Sequence, residues 1–172
     1  MKPTTGCFTG RFNPVHKGHI NVIKNILSKV DKLVIGIGSS NENNTKKNPF
    51  SGEERKKMLE VYLKEESVDL NNVEIILLPD KTDHDSAINN LFEHCPDFDV
   101  LFTHDEEFIE KIGDKVKVVK LARKGKLAHI SSTKIRDAIS KDEPWEQWTG
   151  KSVAKLIAKF NGVERIKKAY NK

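Results

Sequence analysis

The sequence predicts an α/β protein, a Rossmann-like doubly wound parallel sheet followed by a helical C-terminal segment, and three observations carry that expectation. Short apolar runs alternate with amphipathic stretches along most of the 172 residues, the order of βαβ units joined by right-handed crossovers. One run, Leu33-Val34-Ile35-Gly36-Ile37, is apolar without alternation, as a strand covered on both faces must be. The stretch from Lys151 to Tyr170 keeps helical spacing after the last strand-like run.

Taken in order, Thr5 to Thr9 reads as the first strand and ends in the loop Gly10-Arg11-Phe12-Asn13-Pro14-Val15-His16. Ile20, Ile23, Ile26, Leu27 and Val30 then share one helical face. Leu33 to Ile37 is the second strand, and the polar stretch from Ser39 to Asn48 is a loop. Ser51-Gly52-Glu53-Glu54 is a capping box: a hydroxyl meets an orphan N–H and a carboxylate reaches back. It opens a helix carrying Met58, Leu59, Val61 and Tyr62. Val73 to Leu78 is the third strand, and a helix around Ala87 to His94 follows a loop rich in Pro and Asp. Val100-Leu101-Phe102 and Val116 to Leu121 supply two more strands. Ser131-Ser132-Thr133 caps a helix through Ile135, Ala138 and Ile139, and the last helical stretch breaks at Asn161-Gly162. With no repeat and no linker, residues 1–172 read as a single domain. Ligands of such sheets lie beyond the carboxyl ends of the strands, at the switch point, where the loop after the first strand falls.

Composition narrows the function classes. Charged residues are 32% and hydrophobic ones 37%, a soluble globular balance. Thirty basic against 25 acidic residues give a charge of +5, interspersed along the chain. A phosphate-rich small molecule can use that surplus, and nucleic acid is not the expected partner. Cys7 and Cys95 form neither a disulfide framework nor a Cys-x-x-Cys pair. No signal-like stretch or membrane-length run occurs, so the expectation is a cytoplasmic protein without a membrane partner.

The strongest chemical signal is Gly10-Arg11-Phe12-Asn13-Pro14-Val15-His16-Lys17-Gly18-His19, at a strand-to-helix turn. His16 and His19 stand three apart at a helix start, so both imidazoles can face one ligand. Gly18 leaves room for phosphates, and the helix N-terminus adds N–H donors. Arg11 brings a forked cation and Lys17 a point charge. Those parts suit transfer of a nucleotidyl group between phosphates. An ionised phosphate attacks without a general base, so holding two anions together and stabilising charge does the catalysis. Other readings stand beside this one. The two histidines could ligate a metal, but His84, His94, His104 and His129 offer no third ligand at a telling spacing. Gly36-Ile37-Gly38 is followed by Asn41 where a dinucleotide fingerprint needs glycine. Arg55 could belong to a solvated basic face with Lys56 and Lys57, and His104-Asp105 to a turn and a helix cap. Lys151, Lys155, Lys159, Arg165, Lys167 and Lys168 could face water while Val153, Leu156, Ile157 and Phe160 pack on the core.

His16-Lys17-Gly18-His19 resembles the His-x-Gly-His signature of the nucleotidyltransferase superfamily, and Ile130-Ser131-Ser132-Thr133-Lys134-Ile135-Arg136 resembles its second signature. The likeness narrows to the archaeal-type nicotinamide-nucleotide adenylyltransferases. Gly10 to His19, Gly36-Ile37-Gly38-Ser39, Asn48-Pro49-Phe50 with Glu54-Arg55, Trp145-Glu146 and Gly162-Val163-Glu164-Arg165 carry it. It implies transfer of AMP from ATP to nicotinamide mononucleotide, giving NAD and pyrophosphate, with Mg²⁺ on the ATP phosphates and an oligomer of identical subunits. It implies His16 and His19 as catalytic residues, and no metal held by protein ligands. ATP would be bound by Gly10, Arg11, Phe12, Asn13, Lys17, Gly18, Arg55, Ser131, Ser132, Thr133 and Arg136. The second substrate would be bound by Gly38, Ser39, Asp80, Ala87, Thr103, His104 and Asp105. Two departures touch that second pocket. Ala87 stands where the family usually stacks a tryptophan on the nicotinamide ring, and Thr103-His104-Asp105 replaces a Ser-Gly-Asn-like turn. The same transfer to another phosphomonoester, or a nucleotide-binding regulator without turnover, are the rival expectations.

Overall fold

A computed structural model describes residues 2–80, 84–122 and 127–171, and of residues 84–87, 107 and 113 the backbone alone. Five parallel strands, β1 (Thr5–Gly10), β2 (Lys32–Ile37), β3 (Val73–Leu77), β4 (Val100–Thr103) and β5 (Lys117–Lys120), form one sheet in the order β3-β2-β1-β4-β5. The order reverses direction between β1 and β4, so the switch point lies where the loop after β1 begins.

The helices are α1 (Lys17–Leu27), α2 (Gly52–Glu65), α3 (His84–His94), α4 (Glu106–Ile112), α5 (Ser132–Ser140), α6 (Lys151–Lys159) and α7 (Gly162–Tyr170). Alternation along β1 sends Phe8 to one face of the sheet and Cys7 to the other, and each meets its own apolar cluster. Phe8 joins the larger cluster with Ile23, Leu59, Ile135, Ile157 and Ile166 of α1, α2, α5, α6 and α7. Cys7 joins the smaller one with Ile88, Leu91, Leu101 and Ile112 from the side of α3 and α4. Leu33 to Ile37 of β2 are buried throughout, the physical basis of their unbroken apolar run.

Several boundaries move. α1 stops at Leu27, capped by Ser28, so Val30 packs against the core from beyond the helix. Leu78 lies past β3 but donates its N–H to the Ile37 carbonyl at 2.9 Å. Val116 and Leu121 flank β5 rather than belong to it. The C-terminal break falls at Asn161, in the left-handed conformation at φ 55°. Among the described residues no helix is long and apolar enough to cross a membrane.

Candidate active site

The first signature forms a helix cap made of two imidazoles. His16 is the N-cap of α1, its Nδ1 accepting from the Gly18 N–H at 3.1 Å, while His19 Nδ1 accepts from the His16 N–H at 3.2 Å. The rings stack with centroids 3.7 Å apart, and the His19 ring leans on Phe12 at 4.8 Å. Because each Nδ1 accepts a backbone N–H, the proton of each neutral ring sits on Nε2. The cap thereby makes both histidines Nε2–H donors of one orientation. Gly18 serves this arrangement directly: a Cβ there would meet His16 Cε1 at 2.9 Å and Nδ1 at 3.0 Å. Its side-chain-free position accommodates the His16 ring first, a different reason from the room for phosphates that the sequence suggests. Phe12 is buried and held in the left-handed region at φ 50°, its ring within 3.1 Å of where a Gly10 Cβ would stand. It is a prop beneath His19. Arg11 and Lys17 are exposed around this turn.

The side chains of Asn13 and Arg55, which the resemblance assigns to ATP, are buried and bonded to protein groups. The Asn13 side chain is buried, donates to Asn48 Oδ1 and the Phe50 carbonyl at 3.2 Å each, and accepts the Phe50 N–H at 3.2 Å. It stitches the β1–α1 loop to residues 48–50. Arg55 is 0% exposed and so does not lie on a solvated basic face. Its guanidinium donates to the carbonyls of Ser51 (3.1 Å), Arg11 (2.8 Å), Gly38 (2.8 Å) and Ser39 (2.8 Å). One α2 side chain thus ties the loops after β1 and β2 together at the sheet's carboxyl edge. The physical reason is supply: both loops turn their carbonyls inward, and α2 brings a forked donor beneath them.

The second signature closes on the first. Ser131 caps α5 by accepting the Lys134 N–H at 3.1 Å. Ser132 Oγ donates to the Pro14 carbonyl at 2.9 Å, and Arg136 Nη1 donates to the Asn13 carbonyl at 2.9 Å. Arg136 Nη2 also donates to Thr133 Oγ1 at 3.2 Å, while its buried Nε has no hydrogen-bond partner among the described residues. The sequence-distant motifs are therefore one structure, the N-termini of α1 and α5 meeting across a single loop. Burial pulls the Arg55 guanidinium down to about 10, with Asp80 opposing and Arg11 reinforcing the shift. Arg136 is lowered too, first by burial, with Tyr170 opposing and Arg11 adding to the shift. Arg11 repels both buried guanidiniums, so three cations crowd one turn and an anion there would relieve them.

On the opposite side, Gly38 N–H donates to the Gly10 carbonyl at 3.0 Å and Ser39 N–H to Asp80 Oδ1 at 3.2 Å. Ser39 is left-handed at φ 49°, which turns its carbonyl toward Arg55. Thr103 Oγ1 accepts the Asp105 N–H at 3.1 Å, and Asp105 Oδ1 accepts the Phe108 N–H at 3.1 Å. Thr103 and Asp105 therefore cap α4, the role of a turn and helix cap, with exposed His104 between them. Ala87 falls in α3, but its side chain lies outside the described residues. Among the described residues, no group of three or more His, Cys, Asp or Glu side chains could hold a metal ion.

Sequence reasoning missed how far α7 reaches into this region. Arg165 grips Glu54 through two bonds of 2.6 and 3.0 Å, donates to the Pro49 carbonyl at 2.6 Å and sits over the Phe50 ring at 5.3 Å. It carries no free surface charge, and only its place in the motif Gly162-Val163-Glu164-Arg165 hinted at a duty.

Comparison with known proteins bears on the same residues. Residues 7–138 match the model of the family described as cytidylyltransferase-like. A nicotinamide-nucleotide adenylyltransferase of Thermococcus kodakarensis is 39% identical over 165 residues, covering 94% of this chain and 86% of that one. One from Pyrobaculum arsenaticum is 36% identical over 168 residues, covering 95% and 93%. Among solved structures, a Francisella tularensis bifunctional NMN adenylyltransferase/ADP ribose pyrophosphatase, in complex with AMP and a Mn ion, superposes with a TM-score of 0.79. At 24% identity it shares the fold, and the match covers 97% of this chain but 52% of that longer one.

Proposed function

The chain belongs to the cytidylyltransferase-like family, among nicotinamide-nucleotide adenylyltransferases, and on that premise we propose how its residues join ATP to nicotinamide mononucleotide. It is a nucleotidyltransferase: a phosphate oxygen of the mononucleotide attacks the α-phosphorus of ATP, NAD forms and pyrophosphate leaves. The attacking oxygen is already ionised at neutral pH, so the protein needs no base. Its task is to align the two anions and to stabilise charge on the oxygens of the transferring group.

The observation that carries the reading is the stacked pair His16 and His19, each ring locked by a backbone N–H on Nδ1. Their Nε2–H groups are donors whose orientation costs nothing at the moment of reaction, the property electrostatic catalysis requires. The N-termini of α1 and α5, with Arg11, Lys17, Ser131, Ser132, Thr133 and Arg136, hold the triphosphate in this proposal. Arg55 and Asn13 keep the cradle in shape from below, and Gly10, Phe12 and Gly18 make room for and support the histidines. Gly38, Ser39, Asp80 and His104, with Ala87 on α3, are the side assigned to the mononucleotide. In this proposal a divalent cation arrives on the nucleotide, bound to its phosphates. When bound as the Mg²⁺ complex of ATP, it neutralises part of the phosphate charge.

The test is NAD formation and pyrophosphate release from ATP, Mg²⁺ and nicotinamide mononucleotide, run beside a panel of other phosphomonoesters. NAD formation is the expected result. Consumption of another phosphomonoester with nicotinamide mononucleotide ignored would overturn the substrate assignment and leave adenylyl transfer standing. No pyrophosphate release with any substrate of the panel would leave only a nucleotide-binding site. A cytoplasmic assembly of identical single-domain subunits is part of the same proposal, and light scattering in solution measures the assembly.

A further inference from the structure

Arg165 spends all five N–H donors inside the protein. Nε donates to Asn44 Oδ1 at 3.1 Å, and Nη1 to Glu54 Oε1 at 2.6 Å and the Phe160 carbonyl at 3.3 Å. Nη2 donates to the Pro49 carbonyl at 2.6 Å and to Glu54 Oε2 at 3.0 Å. The partners belong to the loop after β2, the first turn of α2 and the C-cap of α6. A guanidinium so engaged has no donor to offer a substrate.

Its grip bears on one short segment. Phe50 follows Pro49 directly, is 0% exposed and carries the guanidinium over its ring at 5.3 Å. The same ring seats the break between α6 and α7, where a Cβ on Gly162 would stand 2.6 Å from it. The Phe50 backbone is paired twice with Asn13, giving its N–H to Oδ1 and accepting from Nδ2 on its carbonyl, both at 3.2 Å. Asn13 in turn offers its carbonyl to Arg136 Nη1 at 2.9 Å, and His16, in the same loop, caps α1. An unbroken line of bonded groups therefore runs from α7 through residues 49 and 50 to the loop that carries the histidines.

A second clamp between α2 and the C-terminal helices lacks that reach. Glu65, the last residue of α2, accepts the N–H groups of Lys151 at 3.0 Å and Ser152 at 2.8 Å, and the Ser152 hydroxyl. These bonds fasten the start of α6 to α2 and involve neither residues 48–50 nor the β1–α1 loop. Docking of the C-terminal helices alone therefore does not account for the bonds of Arg165 to Pro49 and Asn44.

We propose that Arg165 is a positioning residue: it holds residues 49 and 50 so that Asn13 keeps the β1–α1 loop, and with it the pair His16 and His19, in the reacting geometry. The proposal rests on the reading of that pair as the catalytic donors. Arg165 touches no reacting atom, so its influence falls on the rate of the chemical step.

Arg165→Met keeps the apolar stem and removes every donor. At a temperature well below the melting transition, kcat is expected to fall about tenfold. That is less than the roughly 10²-fold cost of a displacement of about 1 Å, because Asn13 keeps its bond to Asn48. The KM values for ATP and nicotinamide mononucleotide are expected to stay within about twofold, since no group that contacts either substrate is altered. Arg165→Lys keeps a charge opposite Glu54 but cannot span Pro49 and Asn44 as well, so its kcat should fall in the same direction and less. Glu65→Gln should lower Tm and leave kcat at the wild-type value. Arg165→Met added to Asn13→Ala should lower kcat by less than about twofold further, because both act through one loop. A wild-type kcat in Arg165→Met overturns the proposal. So does a Glu65→Gln enzyme whose kcat falls as far, which would mark a general loosening of the C-terminal helices. Full multiplication of the Arg165→Met and Asn13→Ala losses, or a loss carried by the KM for ATP alone, also overturns it. If His16→Asn and His19→Ala both keep wild-type kcat, the reading of the histidine pair fails and this proposal with it.

Discussion

Arg55 offers the sharpest test of the site, because two readings of it make opposite forecasts. As a phosphate ligand it should govern affinity and leave stability alone. As a buried tie it should do the reverse. Arg55→Met keeps the length of the apolar stem and removes every donor. Of the four carbonyls it serves, Ser51 O also accepts the Arg55 backbone N–H and Ser39 O the Glu42 N–H. The Arg11 and Gly38 carbonyls, both 2.8 Å from Nη1, are left without their donor. Two orphaned groups at about 1–3 kcal/mol each set the scale. Burial of the cation is itself unfavourable, as the guanidinium pulled down to about 10 shows, so its removal returns part of that. The net expected loss is about 2–4 kcal/mol, or roughly 4–16 °C in Tm for a chain of this size. The loops after β1 and β2 would then drift, and displacement of the histidines by about 1 Å costs on the order of 10²-fold in kcat. Arg55→Lys, whose ammonium can sit between the same two carbonyls, should lose less on both counts. Scanning calorimetry with steady-state kinetics and ATP titration measures all three quantities. A Tm equal to wild type, with affinity for a phosphate-bearing substrate lost, would refute the tie and return Arg55 to the ligand set.

Other expectations follow from the same geometry. His16→Asn keeps an oxygen able to cap α1 but loses the Nε2–H, so Tm should hold while kcat falls about 10²- to 10³-fold; an active enzyme would remove His16 from the chemistry. Gly18→Ala places a methyl 2.9 Å from His16 Cε1 and should cost about 10²-fold in kcat by displacing that ring, read by kinetics on a protein of normal circular dichroism. Burial pushes the Glu54 carboxyl up, but hydrogen bonds from Arg165 and the Ser51 N–H, with the Arg165 charge, hold it below its ordinary 4.5. A depressed carboxylate contributes stability above its unfolded pKa that is lost as pH falls through the folded one. The wild-type Tm should therefore decline as pH drops below about 4.5, and that of Glu54→Gln should decline less; identical slopes would deny the pair with Arg165 this role.

Local chemistry determined much of this protein. The run from Leu33 to Ile37 declared a strand buried on both faces, Ser51 and Glu54 declared a helix start, and Asn161-Gly162 declared the break between α6 and α7. The helix N-terminus carrying His16, Gly18 and His19 was legible from spacing, while the stretch around Arg136 joined it in the reading through a resemblance to a nucleotidyltransferase signature. What spacing cannot convey is which way a side chain turns once other segments arrive. Asn13 and Arg55 read in sequence as part of an ATP-binding set, and Arg165 as one of several basic residues facing water. Their donors meet carbonyls of loops 16 to 116 residues away in the chain, pairings that exist only after the sheet is assembled. Buried backbone carbonyls must be satisfied by whatever donor the fold delivers, so the division between groups that bind substrate and groups that hold the cradle belongs to tertiary structure.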